Sequence, residues 1–163
     1  MGRYLVNNSG AYVTEIIDSS KNNNINFLTV KGIFNHLLKS LADKPDRNHF
    51  VELKDNFIVK TLPQRKSKLF FTVICGQMSS SVDTFGRGFN CNFLLSNSKP
   101  GDFVVIQGVG AYGLTQALSL FGSHPIASEF LIFNNKLEII RDKSQSKDFL
   151  LRQRIPLFLN RKN

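Results

Sequence analysis

The chain has 163 residues, of which 42% are hydrophobic and 20% charged, enough apolar content for the core of one ordinary domain and too much for a disordered tail. Its formal net charge of +9 excludes an acidic solvating protein and points to phosphate or nucleic acid as a partner class. Cys75 and Cys91 are too few for a disulfide framework and lack zinc-site spacing, so no metal is expected. With no apolar leader and no membrane-length apolar run, the expectation is a soluble, cytoplasmic protein without a membrane partner.

Residues 1–10 suggest a short turn or helix. Residues 11–17 (AYVTEII) are rich in β-branched side chains and predict a strand, and the polar run from Asp18 to Asn24 predicts a loop or hairpin connection. A second strand is expected at 26–31. Ile33, Leu37, Leu38 and Leu41 then recur at helical spacing, predicting a short amphipathic helix stopped by Pro45. Residues 50–62 read as mostly strand with a turn at Lys54-Asp55-Asn56, followed by the basic loop Pro63–Lys68. The continuous apolar run 69–75 (LFFTVIC) is of strand length and predicts a central strand.

Residues 76–90 are rich in Ser and Gly, and a long loop inside a compact domain is usually functional. Strands are expected at 91–95 and 103–107, separated by the turn Lys99-Pro100-Gly101-Asp102. Asn134-Asn135 signals a type I′ hairpin between strands 128–133 and 136–141, and 145–153 fits a short helix. Many short strands and two or three short helices, without regular alternation, predict a mainly β, mainly antiparallel barrel or sandwich. The expected organisation is one domain over 1–154 and a basic tail over 155–163.

Gly108-Val109-Gly110-Ala111-Tyr112-Gly113 matches G-x-G-x-x-G after an apolar strand, the form of a dinucleotide fingerprint. Too few residues follow Gly113 for the remaining βαβ units, Glu129 starts the next strand instead of ending it, and Tyr112 is bulky where a pyrophosphate needs close approach. Two other readings stay open: a plain glycine turn, and a phosphate site with a Tyr112 hydroxyl donor.

The surrounding stretch carries more. Pro100-Gly101-Asp102 with a strand, then Gly110-Ala111-Tyr112-Gly113-Leu114-Thr115, then His124-Pro125 leading to Glu129, resembles the C-terminal domain of the pyridoxal-phosphate-dependent decarboxylases acting on diaminopimelate, ornithine or arginine. Gly2-Arg3-Tyr4 is similar to the end of that family's E-P-G-R motif, Val30-Lys31-Gly32-Ile33 to its V-D-G-G segment, and Cys75-Gly76-Gln77-Met78-Ser79-Ser80-Ser81-Val82-Asp83 to G-P-x-C-x-x-x-D. The order of these segments spans Gly2 to about Leu151.

The resemblance implies roles. Tyr112 and Gly113 match the turn at the cofactor phosphate, and Arg3 matches the motif arginine at the same end of pyridoxal phosphate. Ser79 falls where the family has its catalytic cysteine, and Asp83 matches the motif aspartate near the dimer seam. Departures come with it. The family's Schiff-base lysine lies in an N-terminal barrel that this sequence does not contain. Ser79 is a poorer proton donor than cysteine, and Lys39-Ser40 stands where diaminopimelate-specific members carry Arg-Pro. The Gly-Leu-Thr and Ser-His-Pro neighbours look more like relatives acting on carrier-bound or conjugated amino acids.

The expectation is therefore a split or truncated decarboxylase subunit, inactive alone, that binds pyridoxal phosphate only with a barrel partner and completes an active site at a dimer interface. Its interface should run through 76–90 and 108–115. The 76–86 loop and the Gly110–Gly113 turn both follow apolar strands, and they should share a side of the domain if those strands are neighbours. The alternative is a stand-alone basic β module binding nucleic acid. It is disfavoured because Phe70, Phe71 and Phe103 sit in apolar runs and are expected to be buried.

Overall fold

The period-2 alternation of apolar residues builds most of the structure. The computed structural model describes residues 2–37, 58–80, 83–85 and 93–156. Among the described residues a short helix, α1 (Gly2–Val6), and a 3-10 turn, Asn7–Ser9, precede nine strands: β1 Ala11–Asn22, β2 Ile25–Val30, β3 Val59–Leu62, β4 Leu69–Cys75, β5 Thr84–Phe85, β6 Phe93–Ser96, β7 Phe103–Gln107, β8 Glu129–Phe133 and β9 Lys136–Arg141. The chain divides into two compact units, Met1–Leu118 and Ser119–Asn163. The division falls in a turn-rich stretch, and β8 and β9 pair only with each other among the described residues.

In the first unit the strands run in the order β3-β7-β1-β2-β4-β5, with β6 also on β4. All neighbours are antiparallel except β2 and β4, which are parallel. β4 is central as expected, with β2 on one edge and β5 and β6 sharing the other. The sheet curls until the Thr61 hydroxyl on β3 meets the Ser96 hydroxyl on β6 at 3.2 Å, so its two margins approach as in a partly closed barrel. Inward residues of alternating strands make the core: Ile16, Leu28, Val30, Ile74, Leu95, Val104 and Ile106. Burying each such side chain stabilises the fold by roughly 1.5–3 kcal/mol.

The opposite face explains a correction. Phe71 and Phe103, expected to be buried, are 52% and 42% exposed, because they occupy the outward positions of β4 and β7 while Thr72, Ile74, Val104 and Ile106 point inward. The apolar run of β4 is buried on both faces only over Thr72–Ile74, and Leu69 and Phe71 before it are exposed. β1 also runs further than expected, through Asp18–Asn22. β2 supplies it with a ladder partner, and Asn23 and Asn24 form the turn at positive φ. Asn134 and Asn135 adopt the same left-handed pair between β8 and β9, as their sequence signals.

The helix expected from Ile33 is a turn over the described residues to Leu37, and its continuation through Leu38, Leu41 and Pro45 lies outside them. Within this turn Leu37 N donates to Ile33 O at 2.5 Å, and the backbone of Phe34 ties the turn to its surroundings. Its N–H donates to the Asp83 carboxylate at 2.9 Å, and its carbonyl accepts from Leu118 N at 3.3 Å. Both groups are spent on tertiary contacts. The strand and turn expected at 50–57, Lys39-Ser40, Cys91 and residues 157–163 also lie outside the described residues. The helix expected over 145–153 is a 3-10 turn, Ser146–Leu150, capped by reciprocal bonds between Gln145 and Asp148.

Candidate functional site

Strand direction constrains what can meet. β7 is antiparallel to β1, β1 antiparallel to β2, and β2 parallel to β4, so β7 and β4 run the same way. They are not neighbours, since β1 and β2 lie between them. Direction alone does not align their ends, because β7 pairs with Ala11–Glu15 and β2 with Ile16–Asn22 of β1, which sets the end of β2 across β1 from the start of β7. Contacts beyond the strands gather α1, residues 31–37, the segment from Gly76 and the turn 108–113 at one end: Phe34 N donates to Asp83 at 2.9 Å, the Tyr12 hydroxyl to Gly32 O at 2.6 Å, and a Cβ on Gly113 would lie 3.5 Å from Leu37.

The turn after β7 packs directly on the N-terminal segment. Gly108 N and Val109 N donate to Gly10 O at 3.1 and 3.2 Å, and Gly110 N donates to Asn7 O at 2.9 Å. The two backbones touch at Gly10 and Gly110, where a Cβ on either would overlap the other. Tyr112 follows at φ +63°, a left-handed conformation that a non-glycine residue rarely adopts. Its ring is half exposed, and a Cβ on Gly2 would lie 2.7 Å from its hydroxyl oxygen. The Tyr112 hydroxyl therefore sits over α1, which also contains Arg3. The Arg3 side chain lies outside the described residues. Gly113 is buried beneath the turn.

Ser79 is exposed on the segment that leaves β4, and Asp83 is 2% exposed at its base. The two Asp83 carboxylate oxygens accept separate backbone amides, Phe34 N at 2.9 Å and Met78 N at 2.7 Å. The Asp83 carbonyl accepts Gly76 N at 2.8 Å. The structure thus brings Arg3, Tyr112, Gly113, Ser79 and Asp83 to one end. Asp83 is committed to backbone while Ser79 and Tyr112 reach the surface.

A further network at this end carries no motif signal. The Tyr12 hydroxyl donates to Gly32 O at 2.6 Å and lies 2.8 Å from His36 Nδ1. A carbonyl can only accept, so the hydroxyl proton goes to Gly32 and His36 Nδ1 carries its own proton toward Tyr12. Burial pushes the Tyr12 hydroxyl above the ordinary phenol range, and the nearby Asp83 charge adds to this. Tyr12 and His36 also meet edge to face at 5.8 Å. No group of three or more His, Cys, Asp or Glu among the described residues could hold a metal, and no helix among them is long and apolar enough to cross a membrane.

The opposite end holds Lys21, Arg65, Lys66, Lys68 and Lys99. Here Arg65 grips Asp102 with both terminal nitrogens, and Lys99 N donates to the same carboxylate at 2.8 Å. The Arg65 hydrogen bond is the main cause that holds the Asp102 carboxyl down at about 2. Lys21 Nζ stands 4.0 Å over the Phe70 ring. Sequence reasoning treats Asp102 as part of a turn and misses this clamp, because Arg65 lies far away along the chain.

Comparison with known proteins matches residues 3–110 to the family described as pyridoxal-dependent decarboxylase, C-terminal sheet domain. The diaminopimelate decarboxylase of Buchnera aphidicola subsp. Baizongia pistaciae is 32% identical over 152 residues, 91% of this chain and 35% of that protein. The L-glutamyl-[BtrI acyl-carrier protein] decarboxylase of Niallia circulans is 28% identical over 156 residues, 93% of this chain and 34% of that protein. Among solved structures, diaminopimelate decarboxylase from Helicobacter pylori complexed with L-lysine superposes with a TM-score of 0.69 at 26% identity, covering 91% of this chain and 32% of that one. The chain spans about a third of the length of these relatives.

Proposed function

As the chain belongs to the family of pyridoxal-dependent decarboxylase C-terminal sheet domains, we propose that it forms one wall of an amino-acid decarboxylase active site at a subunit interface and is inactive without a cofactor-holding barrel. The observation that carries this reading is the Tyr112 hydroxyl seated on Gly2, which puts the turn and the Arg3 segment at one point. The half-exposed phenol beside α1 fits the phosphate end of pyridoxal phosphate. Tyr112 and the Gly113 backbone would hold that phosphate, with Arg3 supplying a charge-assisted contact. When bound, the cofactor supplies the electron sink that lets an amino acid lose CO2.

In this reading Ser79 presents a hydroxyl toward the partner subunit's reacting centre, where the family has cysteine. A hydroxyl gives up its proton less readily than a thiol, so proton delivery from Ser79 is slow. Exposed Tyr4 and Leu5 on α1, beside Tyr112, suit an end that is covered in the assembly. The substrate class is an amino acid, free or conjugated. The likeness to a carrier-protein-specific decarboxylase supports the conjugated option, and the likeness to diaminopimelate decarboxylases the free one.

The test is a titration of the chain with pyridoxal phosphate. Weak binding, displaced by inorganic phosphate and weakened about tenfold by Tyr112→Phe, is expected, since a hydrogen bond to a charged group contributes roughly 1.5–3 kcal/mol. No stoichiometric adduct should survive dialysis. A stable one-to-one adduct on a single lysine would overturn the reading.

A further inference from the structure

Asp83 is a buried carboxylate whose oxygens face two backbone amides from different parts of the chain. Oδ1 takes Phe34 N at 2.9 Å and Oδ2 takes Met78 N at 2.7 Å. The space it occupies is reserved by Gly76, where any Cβ would overlap the carboxylate. The main chain repeats the tie, with Gly76 N on Asp83 O at 2.8 Å, Asp83 N on Ser80 O at 3.1 Å and Ser80 N on Met78 O at 2.7 Å. Ser79 lies between the two fixed points, exposed, while Met78 beside it is buried. On the other side of the carboxylate, Phe34 is held by a second tertiary bond, from Leu118 N.

We infer that Asp83 and Gly76 form a bracket that locks the Ser79 segment to residues 33–37, so that Asp83 is a positioning residue for Ser79 and takes no direct part in proton transfer. Ionised carboxylate oxygens accept only, and two amides aimed at them suit the charged form. An amide side chain could satisfy one N–H but would turn its own NH2 toward the other. The alternative, that Asp83 reaches a substrate, would require it to leave both amides unpaired in a buried site. The bracket rests on the functional reading only in naming Ser79 as the residue that is positioned.

Native-state hydrogen exchange on the unaltered chain tests the bracket first. The amides of Phe34 and Met78, remote in sequence, should open in one event and share one opening free energy across a denaturant series. Independent opening would overturn the bracket. In Asp83→Ala, which removes both acceptor oxygens, both amides should exchange at least tenfold faster while Val104 keeps its parent rate. Unchanged protection at either amide, or equal acceleration at Val104, would also overturn it. Positioning itself is read from a reporter thiol. Ser79→Cys alone and combined with Asp83→Asn should differ in the pH profile of alkylation, and identical profiles would reject the positioning role. Pyridoxal phosphate binding with Tyr112→Phe reports on the functional reading separately, so either conclusion can fail while the other stands.

Discussion

The two ends of the barrel are built on opposite plans. At the basic end, one ion pair does the fastening. Arg65 holds Asp102 in a two-toothed grip that also takes in Lys99 N, and Lys21 and Lys68 stand over the Phe70 ring. At the other end, the fastening is made by backbone groups and absent side chains: Gly10 against Gly110, Gly2 under Tyr112, and Asp83 filling the space over Gly76. A charge clamp tolerates some movement because long side chains can follow it. Close backbone contact does not, and it holds surface groups at defined positions. Here it fixes the backbone that carries the half-exposed Tyr112 and the exposed Ser79.

The largest effect should come from the core shared by both ends. Ile74, fully buried on β4, changed to Ala should cost about 3 kcal/mol in urea unfolding and lower amide protection at Val104 and Met78 alike. If only one end loses protection, the ends are separate cooperative units and the comparison breaks.

Next comes the clamp. The Asp102 carboxyl titrates near 2 in the folded chain against an ordinary value of 3.8. Its folded value is depressed, so its contribution is present above the unfolded value and is lost as pH falls from about 4 through about 2. The urea midpoint should drop across that window, and Asp102→Asn should flatten the drop. An unchanged slope would show that the clamp does not fasten the basic end.

The smallest effect has the opposite sign. Tyr112 at φ +63° holds a conformation that costs roughly 1–2 kcal/mol in L-residues. Tyr112→Gly should therefore raise stability by about 1 kcal/mol while weakening pyridoxal phosphate binding. A loss of stability would mean that ring contacts outweigh the backbone strain, and that this end is organised by packing.

Much of the barrel was legible in the residues. Leu69–Cys75 and Phe103–Gln107 read as strands because short apolar runs have few other uses, and Asn134-Asn135 reads as a left-handed turn because asparagine tolerates positive φ. The helix expected from Ile33 continues past Leu37 outside the described residues, and what its spacing does not reveal is that Asp83 and Leu118 take the N–H and carbonyl of Phe34. The outward faces of Phe71 and Phe103 were hidden because an apolar run does not mark which alternate residues point outward. Of the proposed site, Tyr112, Gly113, Arg3 and Ser79 are named by family likeness alone. The Tyr12–Gly32–His36 network and the Arg65–Asp102 clamp carry no local signal that could have revealed them.

The sequence by itself determined the strands, the asparagine turns, the basic balance and the family motifs, since each depends on near neighbours and side-chain type. Only the tertiary structure decided that α1, residues 31–37, the Gly76 segment and the Tyr112 turn meet at one end while the lysines gather at the other. The physical reason is that a strand's direction comes from its hydrogen-bonded partner, and that contacts remote in sequence, Phe34 N on Asp83 and the Tyr12 hydroxyl on Gly32 O, gather the end. Two antiparallel steps and one parallel step carry β7's direction to β4, and no residue within either strand encodes that count.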